Sequence, residues 1–125
     1  MSSTDIVYQV HRQAVRAPLT EIAGLLQDVL GQRLTDFIAG VKEGKTVARW
    51  AKGEVTEIRD YQVEQRLRTA YEIAIYLLEY DDKETIRAWF IGMSPYLDDH
   101  APIMALVDGR FREVLDAAKG FAANG

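Results

Sequence analysis

Two stretches of this chain bring chemistry-bearing residues close together. The first is Gly40-Val41-Lys42-Glu43-Gly44-Lys45-Thr46, which approaches the glycine, lysine and threonine pattern of a loop that cradles nucleotide phosphates. The second is Asp98-Asp99-His100, between Pro95 and Pro102, where two carboxylates and an imidazole offer acid–base or metal-binding chemistry. The phosphate-loop reading fails on length. That loop needs four residues between its glycines to wrap backbone N–H groups around a phosphate, and only Val41, Lys42 and Glu43 stand there. Glu43 also brings a carboxylate into what must be an anion site. The loop should follow a buried strand, yet Leu34, Phe37, Ile38 and Val41 recur at helical spacing.

The Asp98-Asp99-His100 triplet is weak for a different reason. Three consecutive residues converge on one ion only through an unusual turn, and His11 is the only other histidine. The plainer expectation is a surface loop in which Asp98 or Asp99 caps a short helix beginning near Pro102. A small Asp/His hydrolase is therefore the least supported function, and neither a catalytic nor a metal site is expected.

The stretch around Gly44 has a second reading, as the turn and second helix of a helix-turn-helix. Leu34, Phe37, Ile38 and Val41 would bury the first helix, and Val47 and Trp50 the second. Lys42, Lys45, Arg49 and Lys52 then fall three, four and three residues apart along one exposed face. Thr46 lies at the helix start, able to cap it or meet a phosphate. Such a row can grip phosphates or read guanine; it is equally what a plain solvated helix face looks like. Phe37 and Val41 occupy positions where this motif normally has a small residue and a glycine, which predicts an irregular turn.

The elements that must carry these residues are all helical. Ile6, Val10 and Ala14 form one helical row, closed by Pro18, and Ile22, Leu26, Val29 and Leu30 form another, with Thr20 near its start. Short helices follow at Leu34–Val41 and over 46–52. The longest pattern runs over 61–80, ended by Asp81-Asp82. "KETIRAWF" begins another, a short helical turn lies at 102–109, and a last helix carries Phe111, Val114, Leu115, Ala118 and Phe121. An all-α fold follows. The joint at 51–60 divides it into an N-terminal helical extension with a helix-turn-helix-like DNA-binding or dimerisation region, 1–53, and a small helical domain, 54–125.

Composition narrows the function classes. The 125 residues include no cysteine, which excludes disulfides, thiolate zinc sites and thiol catalysis. The first residues lack a basic stretch followed by an apolar core, so no secretory signal is expected. The longest apolar run, "IAIYLL" at 73–78, is far short of the roughly 20 residues that span a bilayer. A cytoplasmic protein with no membrane partner is expected. Residues 1–53 hold seven Lys/Arg against five Asp/Glu, a net of +2; with −4 for the whole chain, the remainder carries −6. This suits a basic half for nucleic acid and an acidic half for a protein partner.

Residues 87–121, "RAWFIGMSPYLDDHAPIMALVDGRFREVLDAAKGF", go further. Ala88-Trp89-Phe90, Pro95, Leu97, Pro102, Leu106-Val107, Gly109 and Val114-Leu115 together resemble the toxin-binding domain of the Xre/MbcA/ParS antitoxin family. "TVARWAKGE" is similar to that family's recognition helix, and residues 1–30 read as an added extension. Where the family usually has asparagine after the first proline, this chain has Tyr96. The resemblance implies a non-enzymatic antitoxin, without cofactor, that covers a RES-domain toxin, an NAD-consuming enzyme, with its C-terminal end blocking the NAD cleft. It also implies a homodimer or higher homo-oligomer and binding to promoter DNA. Toxin contacts are expected at Tyr96, Asp98, Asp99, His100, Arg110, Lys119 and Phe121, with "AANG" after Phe121 as a small, uncharged tail. A helix-turn-helix regulator with no toxin is the alternative. Trp89, Phe90, Val107, Val114 and Leu115 are expected in the core.

Overall fold

The computed structural model describes residues 3–41 and 45–124. Among these residues the chain forms eight α-helices and no strand: α1 (Ser3–Arg16), α2 (Leu19–Leu30), α3 (Gln32–Ala39), α4 (Lys45–Ala51), α5 (Tyr61–Leu77), α6 (Lys83–Ile91), α7 (Pro102–Val107) and α8 (Phe111–Asn124). A single 3-10 turn, Pro95–Leu97, lies between α6 and α7. No described helix is long and apolar enough to cross a membrane.

The boundaries follow from local chemistry. Pro18, whose ring cannot sit inside a helix, separates α1 from α2. Gly31 takes φ 87° to end α2 and begin α3, and Gly40 takes the left-handed φ of 75° that ends α3. Asp60 caps α5, accepting from the N–H groups of Gln62 and Val63 at 2.9 and 3.3 Å. The long pattern at 61–80 ends earlier than its apolar stripe suggests, at Leu77. Leu78–Tyr80 form a turn, and Asp82 serves as the cap of α6, accepting from the Thr85 N–H at 2.8 Å.

α5 is the central element. α1, α2 and α3 pack against it from the N-terminal side of the chain, α7 and α8 from the C-terminal side, and α4 lies on α2. One buried cluster runs from Val10 through Leu26, Ile38, Trp50, Tyr71 and Phe90 to Ala118, so residues on both sides of the 51–60 joint share a core. Each fully buried Leu or Ile in it, such as Ile22, Leu26 and Leu67, contributes about 1.5–3 kcal/mol. Trp89, Phe90 and Val114 are buried as expected, whereas Val107 and Leu115 are only half-buried; Leu115 turns toward Val7, Val10 and Tyr76 at the edge of the core.

Candidate functional site

The first candidate surface is built on α4. Val47, fully buried, and Trp50, 7% exposed, press this helix onto α2. Helical periodicity then turns Lys45, Arg49 and Lys52 outward, and all three are exposed; Thr46 is half-buried in the first turn. Lys42 lies outside the described residues, as do Glu43 and Gly44. After α4 the chain reverses at Gly53, φ 79°, and this brings Glu54 back beside the row. Arg49 Nε donates to Glu54 Oε2 at 3.2 Å, in a pair more than half exposed on each side. A pair this exposed contributes about 0–1 kcal/mol, so it tempers the basic face without closing it to an anion.

The helix before this surface departs from expectation. Ile38 is fully buried and Leu34 and Val41 half-buried, but Phe37 is 46% exposed. The four apolar residues span a wider arc than α2 and α5 cover, and Phe37 falls at its outer edge. Within α3, Asp36 Oδ1 is buried with no hydrogen-bond partner, and desolvation raises its carboxyl above the ordinary value.

The second surface is built around residues 92–100 and the end of α8. Ser94 is its keystone, buried at 4%. Its N–H donates to the His100 carbonyl at 3.1 Å, and its carbonyl accepts from the Leu97 and Asp99 N–H groups at 3.0 and 2.9 Å. Its hydroxyl accepts from the Tyr96 N–H at 3.3 Å, and Leu97 plugs the loop into the core. Asp98 and Asp99 both take left-handed backbone angles, φ 54° and 63°, which Asp tolerates better than most residues.

This geometry corrects the expected role of the carboxylates. α7 is preceded by Ala101, with no side-chain cap, so neither Asp98 nor Asp99 caps it. His100 Nδ1 faces the Leu97 carbonyl at 3.0 Å. Among the described residues no group of three or more His, Asp or Glu is placed to hold a metal ion. Arg110 Nε donates to Glu113 at 2.7 Å; that bond, with the nearby charges of Asp98 and Asp108, raises the guanidinium above its ordinary value.

Beside the loop lies an apolar groove of about 480 Å³ between α6 and α8, lined mainly by Trp89, Met93, Pro95, Tyr96 and Phe121, with Thr85 and Asn124 at its edges. Trp89 forms its floor, edge-on to Phe90 with centroids 5.1 Å apart and tilted against Phe121 at 6.1 Å. Met93 stands at its rim, 81% exposed. Of the expected partner-binding residues, the fold brings Tyr96 and Phe121 into this groove and sets Asp98 near Arg110. Lys119 points elsewhere, lining a separate depression with Val7, Tyr76 and Tyr80. Met93 and Trp89 line this groove although neither stood among the expected partner-binding residues; a large apolar residue just after Gly92 at a helix end was the available signal. The residues after Phe121, expected as a tail, belong instead to α8, which continues through Asn124.

The chain matches no family model, no curated protein and no solved structure.

Proposed function

We propose that this chain is a cytoplasmic, non-enzymatic antitoxin whose α6–α8 surface covers a RES-domain toxin and keeps it from consuming NAD. The observation that carries the reading is the apolar groove of Trp89, Met93, Tyr96 and Phe121 beside the end of α8. An exposed apolar recess flanked by aromatic side chains suits an anchor residue of a protein partner. Most of its lining falls within residues 87–121, the stretch where the motif resemblance is densest. The acidic balance of the C-terminal half supports a basic partner surface.

In the same reading, a homodimer or higher homo-oligomer contacts promoter DNA through Lys45, Thr46 and Arg49 of α4 and Lys52 just after it. The exposure of the three basic side chains supports this part, and it also favours the second reading, a regulator that binds DNA and has no toxin. One experiment separates the two: the neighbouring reading frame is sequenced and, where it encodes a RES-domain toxin, that toxin is co-expressed with this chain. Restored growth supports the antitoxin, and unrelieved toxicity leaves the regulator.

A further inference from the structure

α8 keeps its helical form through Asn124, past a glycine in its penultimate turn. Its last residues are Ala122, Ala123 and Asn124. The final turn of any helix lacks intrahelical partners for its carbonyls, so side-chain contacts decide how well it holds. Gly120, one turn earlier, weakens the helix further, because glycine gives up more backbone freedom than other residues.

Gly120 has a geometric reason to be there. A Cβ at this position would lie 2.8 Å from both Cε1 and Cζ of Tyr96 and 3.2 Å from its Cδ1. The tyrosine ring therefore rests directly on the helix backbone, in a seat that only glycine leaves open. The backbone that carries the ring is itself held in place. Pro95 restricts the chain before it, and the buried Ser94 hydroxyl accepts from the Tyr96 N–H. Above the seat, the Tyr96 hydroxyl accepts from the Asn124 side-chain amide at 2.9 Å and donates to the Gly120 carbonyl over a longer 3.4 Å. The same Asn124 amide donates to the Gly120 carbonyl at 3.1 Å.

We propose that Tyr96, Gly120 and Asn124 form a clasp that holds the last turn of α8 helical against the Pro95 turn. What α8 offers a partner here is then a preformed, helical groove wall. Tyr96 is a positioning residue in this scheme: it sets the place of Phe121 and Asn124, which line the groove with it. Ordering these residues before binding removes part of the entropy cost of association. The clasp deepens the antitoxin reading and rests on it only for the partner's identity.

The test uses the free full-length chain in solution NMR, so its outcome is independent of any toxin. In the wild type, the Gly120 Hα resonances should be displaced by the Tyr96 ring current. Tyr96→Leu should abolish that displacement, and Tyr96→Phe should keep it. Losing the hydroxyl or the amide should lower the ratio of helical to frayed tail about threefold to tenfold, read from the Cα secondary shifts of Ala122 and Ala123. Asn124→Ala is the sharper variant. Alanine has the higher intrinsic helix propensity, so propensity alone predicts a more helical tail, whereas the clasp predicts a less helical one. Gly120 Hα shifts free of ring-current displacement in the wild type, or unchanged or greater tail helicity in Asn124→Ala, overturns the clasp. Loss of toxin neutralisation is read in a separate growth assay, so the clasp and the antitoxin reading fail or stand separately.

Discussion

The Arg66 guanidinium donates from Nε to the Ile38 carbonyl at 2.7 Å, tying the central helix α5 to the last turn of α3. Two other arginines act alike. Arg68 reaches the Ala14 and Ala17 carbonyls at 3.0 and 2.8 Å at the end of α1, and Arg87 reaches the Val29 carbonyl at 3.1 Å near the end of α2. Each places a cation where a helix exposes unpaired carbonyls and the negative end of its dipole. Three helices before the 51–60 joint are thus capped by side chains from after it. These charges serve the fold, which leaves the DNA reading to the separate row on α4.

Arg66→Met should therefore destabilise the whole chain by about 1–3 kcal/mol, since the lost bonds are charge-assisted and end on partly buried carbonyls. A urea titration checks this. A midpoint equal to that of the wild type would mean that solvent caps α3 as well as Arg66 does.

Trp89→Ala should cost about 3–5 kcal/mol, because the indole is 8% exposed and removing it opens a void between Phe90 and Phe121. An unchanged thermal melt contradicts its place in the core. Met93→Ser, at the rim, should leave the melt where it is while weakening any partner that seats in the groove.

Two carboxylates pull stability in opposite directions with pH. Hydrogen bonds from the Thr85 backbone and side chain hold Asp82 below the ordinary range, so its contribution is present above the unfolded value and is lost as pH falls through the folded one. Asp36 is raised by desolvation, so its folded state favours the proton, and stability is lost as pH rises through its carboxyl range. Asp36→Asn should melt higher than wild type at neutral pH, with the gap closing near about pH 3. Asp82→Ala should melt lower at neutral pH, and that gap should also narrow in acid. Gaps that stay constant across the titration would remove both assignments.

Promoter DNA binding through α4 should weaken steeply with salt, and Arg49→Ala should cost about 1–3 kcal/mol where Arg49 reads a base. Gel shifts comparing wild type with a combined Lys45, Arg49 and Lys52→Ala variant decide it; equal retardation excludes this face.

Most of the fold was legible in the sequence because its boundaries are set by local chemistry. Pro18, Gly31, Asp60 and Pro102 act on residues within a turn of themselves, and the apolar rows of α2 and α5 match the faces they bury. What was not legible depends on residues far apart in the chain. Arg87 meets a carbonyl 58 residues away, and Asn124 meets a hydroxyl 28 residues away, after several helices have docked. Phe37 was misplaced because an apolar row shows which face turns inward but not how wide a neighbour covers it. For the candidate site, the aromatic residues were visible as types; that Trp89, Met93, Tyr96 and Phe121 share one groove was not.

If the α6–α8 end neutralises an NAD-consuming toxin, the cellular NAD pool reports it. Because Ala118 is 1% exposed and Ala122 packs against the core, the informative truncation removes only 123–125. Where the neighbouring gene encodes a RES-domain toxin, NAD is measured after its induction alone, with the full chain and with the truncated chain. The account predicts collapse with toxin alone, preservation with the full chain, and partial or complete collapse with the truncation at equal protein level. An NAD pool that falls equally with and without the full chain, or a gene with no such toxin beside it, contradicts the account.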